Sequence, residues 1–170
     1  MTEAPLGGHW PTTLVTSRLT LRPMEHPDLP AIVRLWTDAE VRRHLGGPVD
    51  KETVRARKDK CIGAPGAFSV VRHKDGAVVG LVSVEQAARD GRTEISYQML
   101  PEHWGHGYAR ESVASAVAWA SARVPSQAPG IVAETQAANS PSRRLLEDLG
   151  ATLADSFVEW GAAQVLYVLR

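Results

Sequence analysis

One cysteine, Cys61, is present among 170 residues, which excludes an intrachain disulfide and any metal centre built from several thiolates. Such a composition suits a reducing compartment, and a cytoplasmic location is expected. No run approaches the ~18 consecutive apolar residues that would span a membrane. Residues 1–13 also lack the basic start and apolar core of a secretory signal. Charge of neither sign dominates: 19 Lys and Arg stand against 19 Asp and Glu, with no basic run among them. That removes the electrostatic footprint that nucleic-acid binding needs, so neither nucleic acid nor a membrane is expected as a partner. Internal repeats and low-complexity tracts are also missing.

What remains is a globular composition, with 44% hydrophobic and 22% charged residues. The length fits one domain and leaves no room for a second. Pro5, Gly7, Gly8 and Pro11 mark residues 1–13 as a loose tail, with the domain running over 14–170.

Along that domain the apolar periodicity alternates between two and 3.6. Leu19 and Leu21 between Arg18, Thr20 and Arg22 read as a short strand ended by Pro23. Leu29, Ile32, Val33 and Trp36 give one apolar helix face, on which Trp36 is core rather than a substrate platform. A short piece around Val41 to Leu45 ends at Gly46-Gly47-Pro48, and Val54, Cys61 and Ile62 mark a further helix with Cys61 buried on its apolar face. Phe68 to Arg72, Val78 to Val84 and Thr93 to Leu100 then read as a three-stranded meander, turned at Asp75-Gly76 and Asp90-Gly91. A helix over Tyr108 to Arg123, a buried strand over Ile131 to Thr135, a helix ended by Gly150, and strands at Ser156 to Trp160 and Gln164 to Leu169 complete the order. The expected architecture is an α/β (α+β layered) domain with a mixed, mostly antiparallel central sheet and helices on both faces.

The functional signal is concentrated between Met99 and Arg110. Gly105 and Gly107 stand at a strand-to-helix junction, where unpaired N–H groups and the positive end of the helix dipole suit a phosphate. A plain tight turn explains the same two glycines. A nucleotide P-loop is absent because no Gly-Lys-Ser or Gly-Lys-Thr occurs. A dinucleotide fingerprint fails because Arg110 fills the third glycine place and Gln127 the acidic one. His103 and His106 have the spacing of a weak metal pair but no third ligand, so no metal is expected.

The run Trp104-Gly105-His106-Gly107-Tyr108-Ala109, followed by Glu111, resembles the coenzyme loop of the GNAT superfamily of N-acetyltransferases, in its RimJ/RimL-like branch. Trp104 departs from the family's usual Gln or Arg, as an aromatic there commonly does in that branch. Asn139, Ser142, Leu149 and Gly150 resemble a second motif of the branch, and Arg18 to Arg22 its opening strand. The likeness covers Leu14 to Leu169.

That resemblance implies acetyl-CoA as cofactor. Amides of Trp104, Gly105, His106, Gly107, Tyr108, Ala109 and Arg110 would bind its pyrophosphate, and the main chain of Met99 and Leu100 would pair with its pantetheine arm like an added strand. Asn139 would hydrogen-bond that arm, although a helix cap explains Asn equally. An amide near Leu100 is the candidate for the oxyanion. Ser142 would donate to the leaving thiolate, a local backbone bond being its alternative. Glu94 is the candidate base through a water, with Glu134 and Glu159 left open. The acceptor would lie near His44 to Pro48: a peptide or protein α-amino group first, a small amine or aminoglycoside-like antibiotic second. A non-catalytic acyl-CoA-binding or sensing module is the competing function, and a homodimer through the two terminal strands rests on family analogy.

Overall fold

The computed structural model describes residues 4–128 and 130–170. Its strands form one eight-stranded sheet in the order β1-β2-β3-β4-β5-β6-β8-β7. They are β1 (Leu14–Val15), β2 (Leu19–Pro23), β3 (Ala67–Arg72), β4 (Val78–Arg89), β5 (Arg92–Met99), β6 (Ile131–Gln136), β7 (Thr152–Glu159) and β8 (Ala162–Leu169). Four α-helices accompany them: α1 (Leu29–Thr37), α2 (Lys51–Lys58), α3 (Tyr108–Arg123) and α4 (Ser140–Asp148). Every strand pair is antiparallel except β5 with β6.

Local chemistry accounts for the main boundaries. Asp90 and Gly91 have φ 51 and 76, and Trp160 and Gly161 have φ 57 and 72. Both hairpin tips therefore carry the two positive φ angles of a type I′ turn, whose twist matches the strands it joins. Asp50 caps α2 by accepting from the Thr53 amide at 2.7 Å. Asn139 caps α4 in the same way.

Helices cover both faces. On one, Val113, Ala116 and Ala120 of α3 and Leu146 of α4 join a core cluster with Phe68, Val70, Val82, Ile95 and Tyr167. On the other, Ile32, Leu35 and Trp36 of α1 pack with Leu81 and Leu100. Trp36 is thus a core residue, as its spacing indicates.

Two expectations need correction. Residues 4–13 are not loose: Pro5–Gly8 forms a 3-10 turn that buries Leu6 in the main core, and Trp10 packs edge-on against Phe68. Glycine and proline content signalled the irregular backbone and missed these two anchors. Cys61 is not on a helix, because α2 ends at Lys58. It sits in the following turn, half-buried, with its thiol donating to the Lys58 carbonyl and its pKa pushed up by burial.

The feature that shapes the site is the meeting of β5 and β6. They share one register pair, Glu94 with Val132. Beyond it β5 stays with β4 as far as Met99, while β6 stays with β8 as far as Gln136. The two parallel strands therefore part, and a cleft opens toward their C-terminal ends.

Candidate active site

A cavity of about 850 Å³ fills that cleft. Ile95 to Met99 form one wall, Ala133 to Thr135 and the start of α4 the other, and the loop before α3 closes one end. Glu40, Val41, Arg43, His44 and Leu45 reach it from the segment after α1. His44 Nδ1 lies 3.3 Å from Gln136 Oε1, which ties that segment to β6.

At the loop, Gly105 and Gly107 both have φ 78, in the left-handed region where a side chain is strained. Gly107 is the N-cap of α3 and offers no side chain to cap it. Among the described residues the amides of residues 105–110 find no hydrogen-bond partner. These orphan donors gather at the positive end of a 16-residue helix, a geometry that suits an anion.

Glu111 leaves the loop amides free because it is occupied elsewhere. Its Oε1 accepts from Thr16 Oγ1, Ser17 Oγ and the Arg18 amide at 2.9, 2.9 and 3.0 Å. Burial pushes its pKa up, but these bonds outweigh burial and hold it below the ordinary range. Arg18 completes the brace, with Nε 2.8 Å from Glu111 Oε2 and Nη1 2.9 Å from the His106 carbonyl. Its guanidinium lies over the Tyr108 ring, against which His106 stacks. His103 also lines the cavity, edge-on to Tyr108 and 3.4 Å from Arg72 Nη1.

Along β5, backbone direction decides which amides face the cleft. Leu100 N–H donates to the Val79 carbonyl at 2.9 Å. It is therefore unavailable to an oxyanion or to an added strand, which corrects the expectation placed on Leu100; its side chain is buried in the α1 cluster. In an antiparallel ladder alternate residues turn to opposite neighbours, so Tyr97 and Met99 present their main chain on the β6 side. The Met99 carbonyl already accepts from the Trp104 indole at 2.8 Å. Its amide is the cleft-facing donor.

Across the cleft, Asn139 Oδ1 accepts from the Ser142 amide at 3.3 Å, so the capping role is present. Its side-chain NH2 is not used in the cap. Ser142 does not bond its own backbone through its hydroxyl: Oγ lies 2.5 Å from Tyr97 Oη. Burial keeps the Tyr97 phenol above its ordinary pKa. Sequence reasoning missed Tyr97, since its place in the alternation shows only that it faces the core.

The three carboxylates separate. Glu134 lines the cavity and is paired with Arg89, which also reaches Glu159 at 3.4 Å. Glu94 lies at the closed end of the cleft, half-buried, and does not line the cavity. Burial first, and the neighbouring Glu134 carboxylate second, push its pKa up. Gln98, on the cleft wall, has a buried Oε1 with no partner among the described residues.

No helix among the described residues is long and apolar enough to cross a membrane. Residues 18–152 match the family model for the acetyltransferase (GNAT) domain. The N-acetyltransferase p20 of Bacillus licheniformis is 30% identical over 145 residues, covering 81% of this chain and 80% of that protein. An FsC-acetyl coenzyme A-N(2)-transacetylase of Aspergillus fumigatus is 28% identical, covering 85% and 67%. A GNAT-family acetyltransferase structure from Bacillus anthracis superposes with a TM-score of 0.78 at 21% identity, covering 92% of this chain and 96% of that one. With most of its length matched by the family model, and with an uncapped glycine loop beside a parted pair of parallel strands, this chain belongs to the GNAT acetyltransferase family.

Proposed function

We propose that the chain moves an acetyl group from acetyl-CoA to a primary amine, by direct attack while both are bound. The observation that carries this reading is the row of unpartnered amides at residues 105–110, set at the mouth of the cleft between β5 and β6. The diphosphate sits on those amides, and Arg110, exposed beside them, adds positive charge. The pantetheine arm runs into the cleft along Met99 and past Asn139, whose NH2 donates to it. The acetyl-CoA transacetylase named above supports this choice of donor.

The chemistry then needs three services. The Met99 amide, aimed into the cleft, stabilises the oxygen of the tetrahedral intermediate. The Ser142 hydroxyl hydrogen-bonds the departing sulfur. Glu94 takes the proton from the amine through a water; its pKa is raised by burial, and it is free of the ion pair with Arg89 that occupies Glu134. A base matters most for a lysine-like amine of pKa about 10.4, and less for an α-amino group near 8.

The acceptor enters from the segment holding Glu40 and His44, where Glu134 also faces the cavity. A peptide or protein α-amino group is the favoured class, in keeping with a RimJ/RimL-like branch, and a small amine is second. A screen of amino-terminal peptides against small amines, read by a mass gain of one acetyl group with release of CoA thiol, tests the reading. Acetylation of peptide termini is expected. Tight acetyl-CoA binding without transfer to any amine would favour a sensing module instead.

A further inference from the structure

Tyr97 and Ser142 come from different layers, one on β5 and the other in the first turn of α4, and both line the cavity. Their oxygens are 2.5 Å apart. Two hydroxyls at this distance share one proton between them and leave the other free. Geometry alone allows either oxygen to donate, and acidity decides between them. A phenol is a far stronger acid than an aliphatic hydroxyl, so we take the phenol to donate to Ser142 Oγ, which leaves the serine proton free.

A serine in or near a helix commonly spends its hydroxyl on a nearby backbone group. Ser112 of α3 shows this, donating to the Tyr108 carbonyl at 2.8 Å. Ser142 makes no such bond. Its amide is fixed by Asn139 and its oxygen by Tyr97, so its proton has the cavity to point into.

We propose that Tyr97 is a positioning residue for acetyl transfer, holding the Ser142 hydroxyl so that its proton is directed at the sulfur of the bound thioester. This rests on the reading of Ser142 given above. In the step, the amine nitrogen forms a bond to the carbonyl carbon, the C–S bond breaks, and its electron pair leaves on sulfur. Ser142 stabilises that charge by a hydrogen bond and keeps its proton, as does Tyr97. The nitrogen loses its proton to the base, and sulfur gains one from water.

The test is a cycle of Tyr97→Phe, Ser142→Ala and the double variant, with kcat and KM for acetyl-CoA and a melting curve for each. Tyr97→Phe is expected to lower kcat about tenfold, as loss of one directed hydrogen bond would, with KM within about twofold. In the Ser142→Ala background it is expected to cost nothing further. A wild-type kcat for Tyr97→Phe beside a slow Ser142→Ala overturns the role of Tyr97 alone, and so does an equal loss in both backgrounds. A wild-type kcat for Ser142→Ala overturns the reading of Ser142 and this one with it. Should Tyr97→Phe not fold, 3,5-difluorotyrosine at position 97 in mildly acidic buffer keeps the shape and strengthens the donor. A kcat at or above wild type is then expected, and a fall of about tenfold contradicts the proposal.

Discussion

Arg18 Nε lies 2.8 Å from Glu111 Oε2, while the same guanidinium donates to the His106 carbonyl at 2.9 Å. One side chain thus joins the turn before β2 to the loop before α3, and it draws the Glu111 carboxylate away from the open helix end. Glu111 stands in the first turn of α3, where an acidic side chain is drawn to the positive end of the helix and would compete with an anion there. The pair thus braces the loop and keeps the Glu111 charge off the amides that are proposed to hold the diphosphate.

Arg18→Met is therefore expected to raise KM for acetyl-CoA about tenfold with little change in kcat. The bridge is half exposed on the arginine side, so its loss is expected to lower stability by only about 1 kcal/mol. Steady-state kinetics and a urea titration check both. An unchanged KM would mean that the loop holds its shape alone.

The two loop glycines separate strain from access. A Cβ at Gly105 meets nothing within 4 Å, and one at Gly107 lies 3.4 Å from Arg18 Nη2. Alanine at either position is expected to cost about 1–2 kcal/mol from the positive φ alone. Gly107→Glu is expected to abolish acetyl-CoA binding by setting a carboxylate against the diphosphate. Titration calorimetry of the folded variant decides this, and wild-type affinity would count against the anion site.

Much of this was legible in the sequence, for identifiable reasons. The β-branched runs of β3 and β4, the period-two run of β5, the Asp-Gly turn at residues 90–91 and the Pro141 start and Gly150 end of α4 are local signals, and the structure follows them. The two glycines of the loop marked a strand-to-helix junction with left-handed backbone, which the structure shows at both, but spacing alone fits a tight turn as well as an anion. Direction was not legible. Whether Met99 or Leu100 turns its amide to the cleft depends on the register with β4, and one residue of register reverses the answer. The Tyr97 to Ser142 contact joins residues 45 apart in the chain, and no local pattern encodes it. Leu6 was missed because a single anchor in an irregular segment has no period.

Leu6 gives a direct check on the amino-terminal segment. It is 3% exposed within the main core. Leu6→Ala is expected to destabilise the protein by about 2–4 kcal/mol, measured as a shift in urea midpoint at constant slope. An effect under about 0.5 kcal/mol would show that the segment is only loosely held.

Glu94 links activity to stability. Its pKa is raised by burial and by Glu134. A carboxyl whose folded pKa lies above its unfolded value favours the folded state most when protonated. That advantage is lost as pH rises from the unfolded pKa through the folded one. Glu94→Gln is therefore expected to raise Tm at pH 7, relative to wild type, and to give little gain near pH 4. The same substitution is expected to lower kcat and to remove the limb of the pH–rate profile set by the base. Melting curves at the two pH values check the sign. A Tm gain larger at pH 4 than at pH 7 would contradict it.

Amide resonances of the 15N-labelled protein, followed while acetyl-CoA is added, test the coenzyme geometry most directly. Gly105 to Arg110 and Met99 are expected to shift and to become protected from exchange, while Leu100, already bonded to Val79, keeps the protection that it has in the free protein. Shifts that leave both the loop and Met99 untouched would contradict the account.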